Sequence, residues 1–327
     1  MNDFLSSYGL FVAELATLAI VVGAVVFLVI SARRGGHVDG LTVQHLNRRY
    51  EDSAGAVKRV VLGKERFKKD AKALAKERKL ERRARDKEGQ IRPRLFVLDF
   101  KGDLRASAAA SLREEISAVL AVAGDQDHVL VRLENPGGAV HEHGFAASQL
   151  ARIKQRGLKL DVAVDKVAAS GGYLMACVAD RIIAAPFAII GSIGVLAQLP
   201  NFHRWLEERG IDFELLTAGR YKRTLTVFGK NTDEGRQKLQ QEIEDVHELF
   251  KKQIAEHRPQ VSLDEVATGE HWYGTRALEL KLVDELGTSD DLLLAAAKER
   301  DLYQVTYRRH RSWSERLMSG ADALLSR

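Results

Sequence analysis

The sequence predicts an α/β protein: a mostly parallel sheet with packed helices, preceded by a transmembrane helix and a basic helical linker. Three observations predict it. From Leu95 onward, short apolar, β-branched runs alternate with amphipathic segments, the pattern of strand–helix–strand units. Ahead of them lies one long, almost uncharged run. Between the two stands a dense block of Lys and Arg.

A short tail, residues 1–8, precedes the apolar run "GLFVAELATLAIVVGAVVFLVI" at 9–30, whose one ionisable side chain is Glu14. At about 1.5 Å per residue such a run crosses a hydrocarbon core of roughly 30 Å. A cleaved signal peptide would carry a basic start and a shorter apolar centre. Here "MNDFLSS" holds no Lys or Arg, and Arg33 and Arg34 follow the run, so residues 9–31 read as a retained anchor. Glu14 lies near one interface, where its head can reach water, and it is given no role.

The formal charge of +5 is unevenly spread. Residues 48–94 hold 18 Lys and Arg against 8 Asp and Glu, an excess of +10, which leaves −5 for the rest of the chain. This block lies within a linker spanning 32–94, and its Ala, Leu, Lys, Glu and Arg content favours helix. Beside an anchor, such charge suits the anionic heads of membrane lipid. Nucleic acid ranks below lipid as a partner, because aromatic residues are few among the basic ones and an apolar span adjoins them.

The main domain is expected at 95–300. "LFVLDF", "HVLVRLE", "LDVAVD", "RIIAA" and "FELLTA" read as strands, and "SAAASLREEISAVLAVA" and "VHEHGFAASQLARIKQ" as helices between them. A long amphipathic helix follows over 232–257, with Phe250 and Ile254 on one face, and then a helix pair between 273 and 294. "IIAAPFAIIGSIGVLAQLP", residues 182–200, rivals a membrane span by hydropathy. Pro186, Gly191, Ser192 and Gly194 interrupt it, so it is assigned to the core. Residues 301–327 are expected to form a basic, amphipathic tail. A hydrophobic content of 45% against 29% charged excludes a disordered chain, and the single cysteine, Cys177, excludes an internal disulfide. Cys177 sits in the apolar stretch "YLMACVAD" and reads as a small buried hydrophobe.

Three stretches could carry chemistry. "ENPGG" at 134–138 leaves a strand and enters a helix, and its glycines let backbone N–H groups point outward. Such a turn can bind an anion, including the oxyanion of acyl transfer. No Gly-Lys-Ser/Thr follows, which excludes a phosphate loop. "AASGGY" at 168–173 sets Ser170 among small residues, where a substrate backbone could approach its hydroxyl. A serine needs a base. His141 and His143 stand near the glycine turn with no third metal ligand in view, and both read as solvated residues of a helix start. No metal and no cofactor is therefore expected. Lys222, in "AGRYKRTLT" between Arg220 and Arg223, can act as a base if desolvation and positive neighbours disfavour its charge. Its rival Lys166 is four residues from Ser170, roughly 13 Å along an extended chain.

Taken in order, NPGG, AASGGY, GSIGV, GRYK and WYGTRALELKLVDELG resemble the signal peptide peptidase A family of serine proteases, over about residues 95–294. With one anchor and a basic linker, the chain looks like that family's SohB-type branch. The resemblance implies a ClpP/crotonase-like fold and a Ser–Lys dyad: Ser170 as nucleophile and Lys222, 52 residues on, as general base. It implies Gly138 and Gly171 as oxyanion-hole donors, with Pro136, Gly137, Gly172 and Tyr173 lining a narrow substrate groove that has Ser170 at its base. The implied partners are hydrophobic peptide or protein substrates and further copies of the chain, since relatives build the site across subunits of a ring. The implied location is the bacterial inner membrane, and the Arg-rich flank of the anchor favours the cytoplasmic side. Two departures stand out. The turn reads ENPGG where relatives more often have NSPGG, and Lys281 occupies a position where glycine is common. The rival classes are a crotonase-type enzyme acting on acyl thioesters, which would need the glycine turn alone, and a non-catalytic membrane scaffold.

Overall fold

The structure, a computed structural model, describes residues 17, 40–73, 76, 80 and 92–308. The expected anchor at 9–31 and the far tail beyond 308 thus lie outside the described residues, apart from Thr17, and among the described residues no helix is long and apolar enough to cross a membrane. Residues 42–306 form one compact unit; of the remainder only residues 17, 40, 41, 307 and 308 are described.

Its centre is a sheet of β2 (Arg94–Lys101), β3 (His128–Glu134), β4 (Lys159–Val164) and β6 (Arg181–Ala184), each parallel to the next. Two strands extend it in parallel: β9 (Glu285–Leu286) beside β6, and β10 (Asp301–Arg308) beside β2. With β1 (Gly40–His45) the sheet has seven strands in the order β1-β10-β2-β3-β4-β6-β9. Strands buried on both faces explain the near-continuous apolar runs of the sequence. Along β2 the side chains alternate: Phe96, Leu98 and Phe100 join one core cluster, Leu95 and Val97 the other.

The first face is covered by α2 (Ala109–Val122) and α3 (Val140–Gln155), through Leu112, Ile116, Leu150 and Ile153. The second is covered by Leu46 of α1 (Leu46–Leu62) and Leu293 of α9 (Ser289–Ala296). The basic linker is therefore not all linker. Leu46 is 2% exposed, and Asn47 donates to the carbonyls of Ala297 and Arg300 while accepting from the Leu302 N–H. The expected tail likewise begins too early. Residues 301–308 form a strand because β2 presents an open edge to them, paired from Asp301↔Arg94 to Gln304↔Val97.

A second, three-stranded sheet joins β5 (Val167–Ala169), β7 (Ile189–Gly191) and β8 (His271–Tyr273). The short helix α4 (Gly171–Ala176) follows β5 directly, and Cys177 at its end is fully buried, its thiol pushed up to about 12 by burial. The stretch 182–200 divides. Ile182, Ile183, Ala188, Ile190 and Ile193 are core, whereas Leu196 and Leu199 are exposed. The strand expected at 213–218 does not form: among the described residues no strand pairs with it, and Phe213, Leu215 and Leu216 lie exposed. From 195 to 231 the only regular element is α5 (His203–Glu207). The long helix α6 (Asp233–His257) then starts as its sequence dictates. Thr232 accepts from the Gly235 N–H at 3.1 Å, with Asp233 and Glu234 in the first turn and Phe250 and Ile254 buried.

Candidate active site

Ser170 occupies the junction between β5 and α4. Its backbone is at φ 50°, ψ −120°, a conformation that costs a non-glycine residue roughly 1–3 kcal/mol and persists only where the surroundings impose it. Three bonds impose it here. The Ser170 N–H donates to the Gly191 carbonyl at 2.7 Å, the Ala169 N–H to the Asn135 carbonyl at 3.0 Å, and the Asn135 N–H to the Val167 carbonyl at 2.8 Å. A strand that turns sharply into a helix at a serine presents that hydroxyl at the tip of the turn. Ser170 is half-buried, and among the described residues nothing hydrogen-bonds its Oγ.

The glycine turn lies directly against this elbow. A Cβ at Gly137 would sit 2.7 Å from the Ser170 Cβ and 2.8 Å from the Gly171 nitrogen, and Gly137 is at φ 94°. Only glycine fits both the contact and the dihedral. The Gly137 N–H is occupied, donating to Asn135 Oδ1 at 2.9 Å. The N–H groups of Gly138 and Gly171, by contrast, have no partner among the described residues. Backbone donors without partners, beside a half-exposed hydroxyl and at a helix start, are what an oxyanion needs.

Two expected groove residues are not at the surface. Tyr173 is fully buried and its hydroxyl donates to the Leu282 carbonyl at 2.9 Å, so it is a core residue whose phenol burial pushes upward. Gly172 faces inward too, where a side chain would collide with the Asn135 carbonyl oxygen. Pro136 is exposed beside the turn, and Gly137 is buried beneath it.

His143 is also a correction. It is fully buried rather than solvated, with Nδ1 2.9 Å from the Ala139 carbonyl oxygen and Nε2 3.2 Å from Asn135 Oδ1. The α3 pattern holds a signal for this: positions 143, 146, 147, 150 and 153 are all buried, one face of a 3.6-residue period. Asn135, fully buried as well, was legible only as the entry to a turn. His141 is exposed, as expected, and no cluster of three metal-ligating side chains occurs among the described residues.

Lys222 is not in this constellation's hydrogen-bond network. It is exposed in the irregular segment after α5, its N–H bonded to the Gly219 carbonyl at 3.1 Å, and its amine forms no ion pair among the described residues. Its neighbour Arg220 is held by Glu234 at 2.7 Å. The rival Lys166 is committed elsewhere, to Glu134 at 3.2 Å. Lys281 explains its own oddity. It adopts φ 60° just after α8 (Gly274–Glu279), where its N–H bonds the Leu278 carbonyl and the Leu282 N–H bonds that of Ala277. That paired closure favours glycine at its left-handed position, whatever the chemistry.

Comparison with known proteins identifies the family. The profile of Peptidase family S49 matches residues 152–303, and that of Peptidase family S49 N-terminal matches residues 3–150. "Probable protease SohB" of Haemophilus influenzae is 48% identical, covering 95% of this chain and 91% of its own. The chain belongs to peptidase family S49. "Putative signal peptide peptidase SppA" of Enterococcus faecium is 30% identical over 54% of this chain and 52% of its own. A solved structure of a mutant of the "1510-N membrane-bound stomatin-specific protease" aligns with TM-score 0.42 at 14% identity, over 63% of this chain and 85% of that one. Family membership supports a peptidase, a hydrolase of peptide bonds, built on a mixed α/β fold with a mostly parallel sheet.

Proposed function

We propose that this peptidase is a serine endopeptidase with Ser170 as nucleophile and Lys222 as general base, acting on hydrophobic peptide segments at a membrane surface. The observation that carries the reading is the Ser170 elbow, strained at φ 50° and flanked by the unpartnered N–H groups of Gly138 and Gly171. In the first step the neutral Lys222 amine takes the Ser170 Oγ proton as Oγ attacks the peptide carbonyl carbon. The two glycine N–H groups hold the resulting oxyanion. Collapse breaks the C–N bond, the ammonium returns its proton to the leaving amine, and an ester on Ser170 remains. Water, relieved of a proton by Lys222, then attacks that ester, and as the C–Oγ bond breaks the ammonium passes the proton to Oγ, which restores Ser170 and the neutral amine. A crotonase-type thioester enzyme would use the turn without the serine, and nothing in that reading accounts for the strained elbow at Ser170.

A lysine acts as a base only when carried out of water. In the single chain Lys222 is exposed, amid exposed Trp205, Phe213, Leu216 and Tyr221. We therefore propose that a second copy covers this segment and that the dyad forms between copies of a homo-oligomer, in a ClpP/crotonase-like assembly. The run at 9–31 would tether it to the bacterial inner membrane and the basic linker would lie on lipid heads, with the domain on the cytoplasmic side by flanking charge. The test is a fluorophosphonate probe and a hydrophobic fluorogenic peptide, applied to the full chain in detergent. Labelling and cleavage by the wild type, both abolished in Ser170→Ala, are expected. Cleavage that survives Ser170→Ala would overturn the serine mechanism.

A further inference from the structure

We infer that His143 and Asn135 form a buried positioning pair that sets the oxyanion turn. The inference rests on the serine-peptidase reading above and assigns these two side chains a part in the same site. Both are fully buried, which is costly for polar groups without partners, and Asn135 Oδ1, Asn135 Nδ2 and His143 Nε2 each find one. Asn135 Oδ1 accepts the Gly137 N–H at 2.9 Å and lies 3.2 Å from His143 Nε2, while Asn135 Nδ2 reaches Met175 Sδ at 3.3 Å. The Gly137 N–H fixes which end of the amide faces the turn. The Asn135 oxygen can only accept, so the contact with His143 is a bond made by Nε2–H. His143 Nδ1 is 2.9 Å from the Ala139 carbonyl, at the far end of the same turn. The imidazole is thus bonded to the residue that opens the turn, Asn135, and packs beside the carbonyl of Ala139, which closes it.

The consequence falls on Gly138. With the Gly137 N–H turned inward onto Asn135, the next N–H in the chain is the one left without a partner. The same imidazole also backs the elbow, since a Cβ at Gly171 would run into the His143 ring. One side chain therefore touches both donor segments, at Asn135–Ala139 and at Gly171. A transition-state interaction of this kind shows in kcat rather than in KM, because the donors tighten only on the oxyanion.

The test compares His143→Leu, His143→Gln and His143→Asn in the full-length protein. Glutamine can place an amide N–H where Nε2–H stands, whereas asparagine is too short. His143→Leu should lower kcat by about 10- to 100-fold with KM unchanged, and weaken a peptide aldehyde, which forms a tetrahedral adduct, by a similar factor. His143→Gln should recover to within about fivefold of wild type and His143→Asn should not. Equal kcat in the glutamine and asparagine variants, or a loss carried wholly by KM, would overturn the pair's role. If the leucine variant does not fold, the glutamine–asparagine comparison decides alone. Fluorophosphonate labelling separates the two levels of the reading. Label on wild-type Ser170 with kcat unchanged in His143→Leu sinks only the positioning role. No label on the wild type, with activity retained in Ser170→Ala, sinks the serine mechanism itself.

Discussion

The segment that carries Ser170 and the segment that carries Lys222 are built on opposite terms. Around Ser170 the strand leading into the elbow is held by Gly191, Asn135 and Val167, and the glycines are packed against neighbouring atoms. Around Lys222 the chain runs from 195 to 231 with one short helix, and Leu196, Trp205 and Leu216 are more than half exposed. A single chain therefore fixes the Ser170 elbow beside two free glycine N–H groups and leaves the Lys222 amine in water. The difference is what the proposed assembly accounts for, as an exposed apolar surface of this extent suits a second copy better than solvent.

The largest expected effect tests that contrast directly. Ser170→Ala and Lys222→Ala should each lower kcat by about a thousandfold or more, and mixing the two inactive proteins under subunit-exchanging conditions should restore measurable cleavage. Mixtures that stay inactive, despite verified exchange, would place both dyad members in one chain. Next in size is Gly172→Ala, whose methyl would meet the Asn135 carbonyl oxygen. Overpacking there should cost about 3 kcal/mol in urea unfolding and displace the elbow, so activity should fall with stability.

A third change sharpens the rigid side alone. Burial pushes the Asp127 carboxyl up, yet bonds from the Arg94 guanidinium and from the Gly124 and Arg94 N–H groups outweigh it, and its pKa lies below the usual carboxylate value. A carboxylate depressed in the folded state stabilises above its unfolded value, roughly 3.9, and loses that contribution as pH falls through the lower folded value. Asp127→Asn should therefore cost about 2 kcal/mol at neutral pH and progressively less in acid, read by unfolding at a series of pH values. A penalty that grows toward acid would reverse the assignment.

On the other side, Leu216→Ser should leave the unfolding of the domain within about 0.5 kcal/mol of wild type, because Leu216 is 93% exposed. Sedimentation should nevertheless show weaker assembly. The smallest effect is expected at Lys281→Gly, which relieves a left-handed lysine and should stabilise by about 0.5 kcal/mol without touching kcat.

The sheet was legible because both of its faces are buried, which makes strands such as "HVLVRLE" plainly apolar whatever their partners. The helix at 140–155 was legible to the residue. Position 213–218 was not, since β-favouring composition makes a strand only where an edge is available. His143 was misplaced because its neighbours Glu142 and His141 suggested a wet helix start, although its spacing to Ala147 and Leu150 put it on the apolar face.

By itself the sequence determined the order of elements, the core faces and the small residues around Ser170, because those depend on local pattern and on volume. Tertiary structure alone decided which N–H groups of the turn stay free, since that follows from where the Asn135 amide and the His143 ring come to rest. It also decided that the Ser170 elbow is held by Gly191, twenty-one residues away in the chain and adjacent only through sheet pairing.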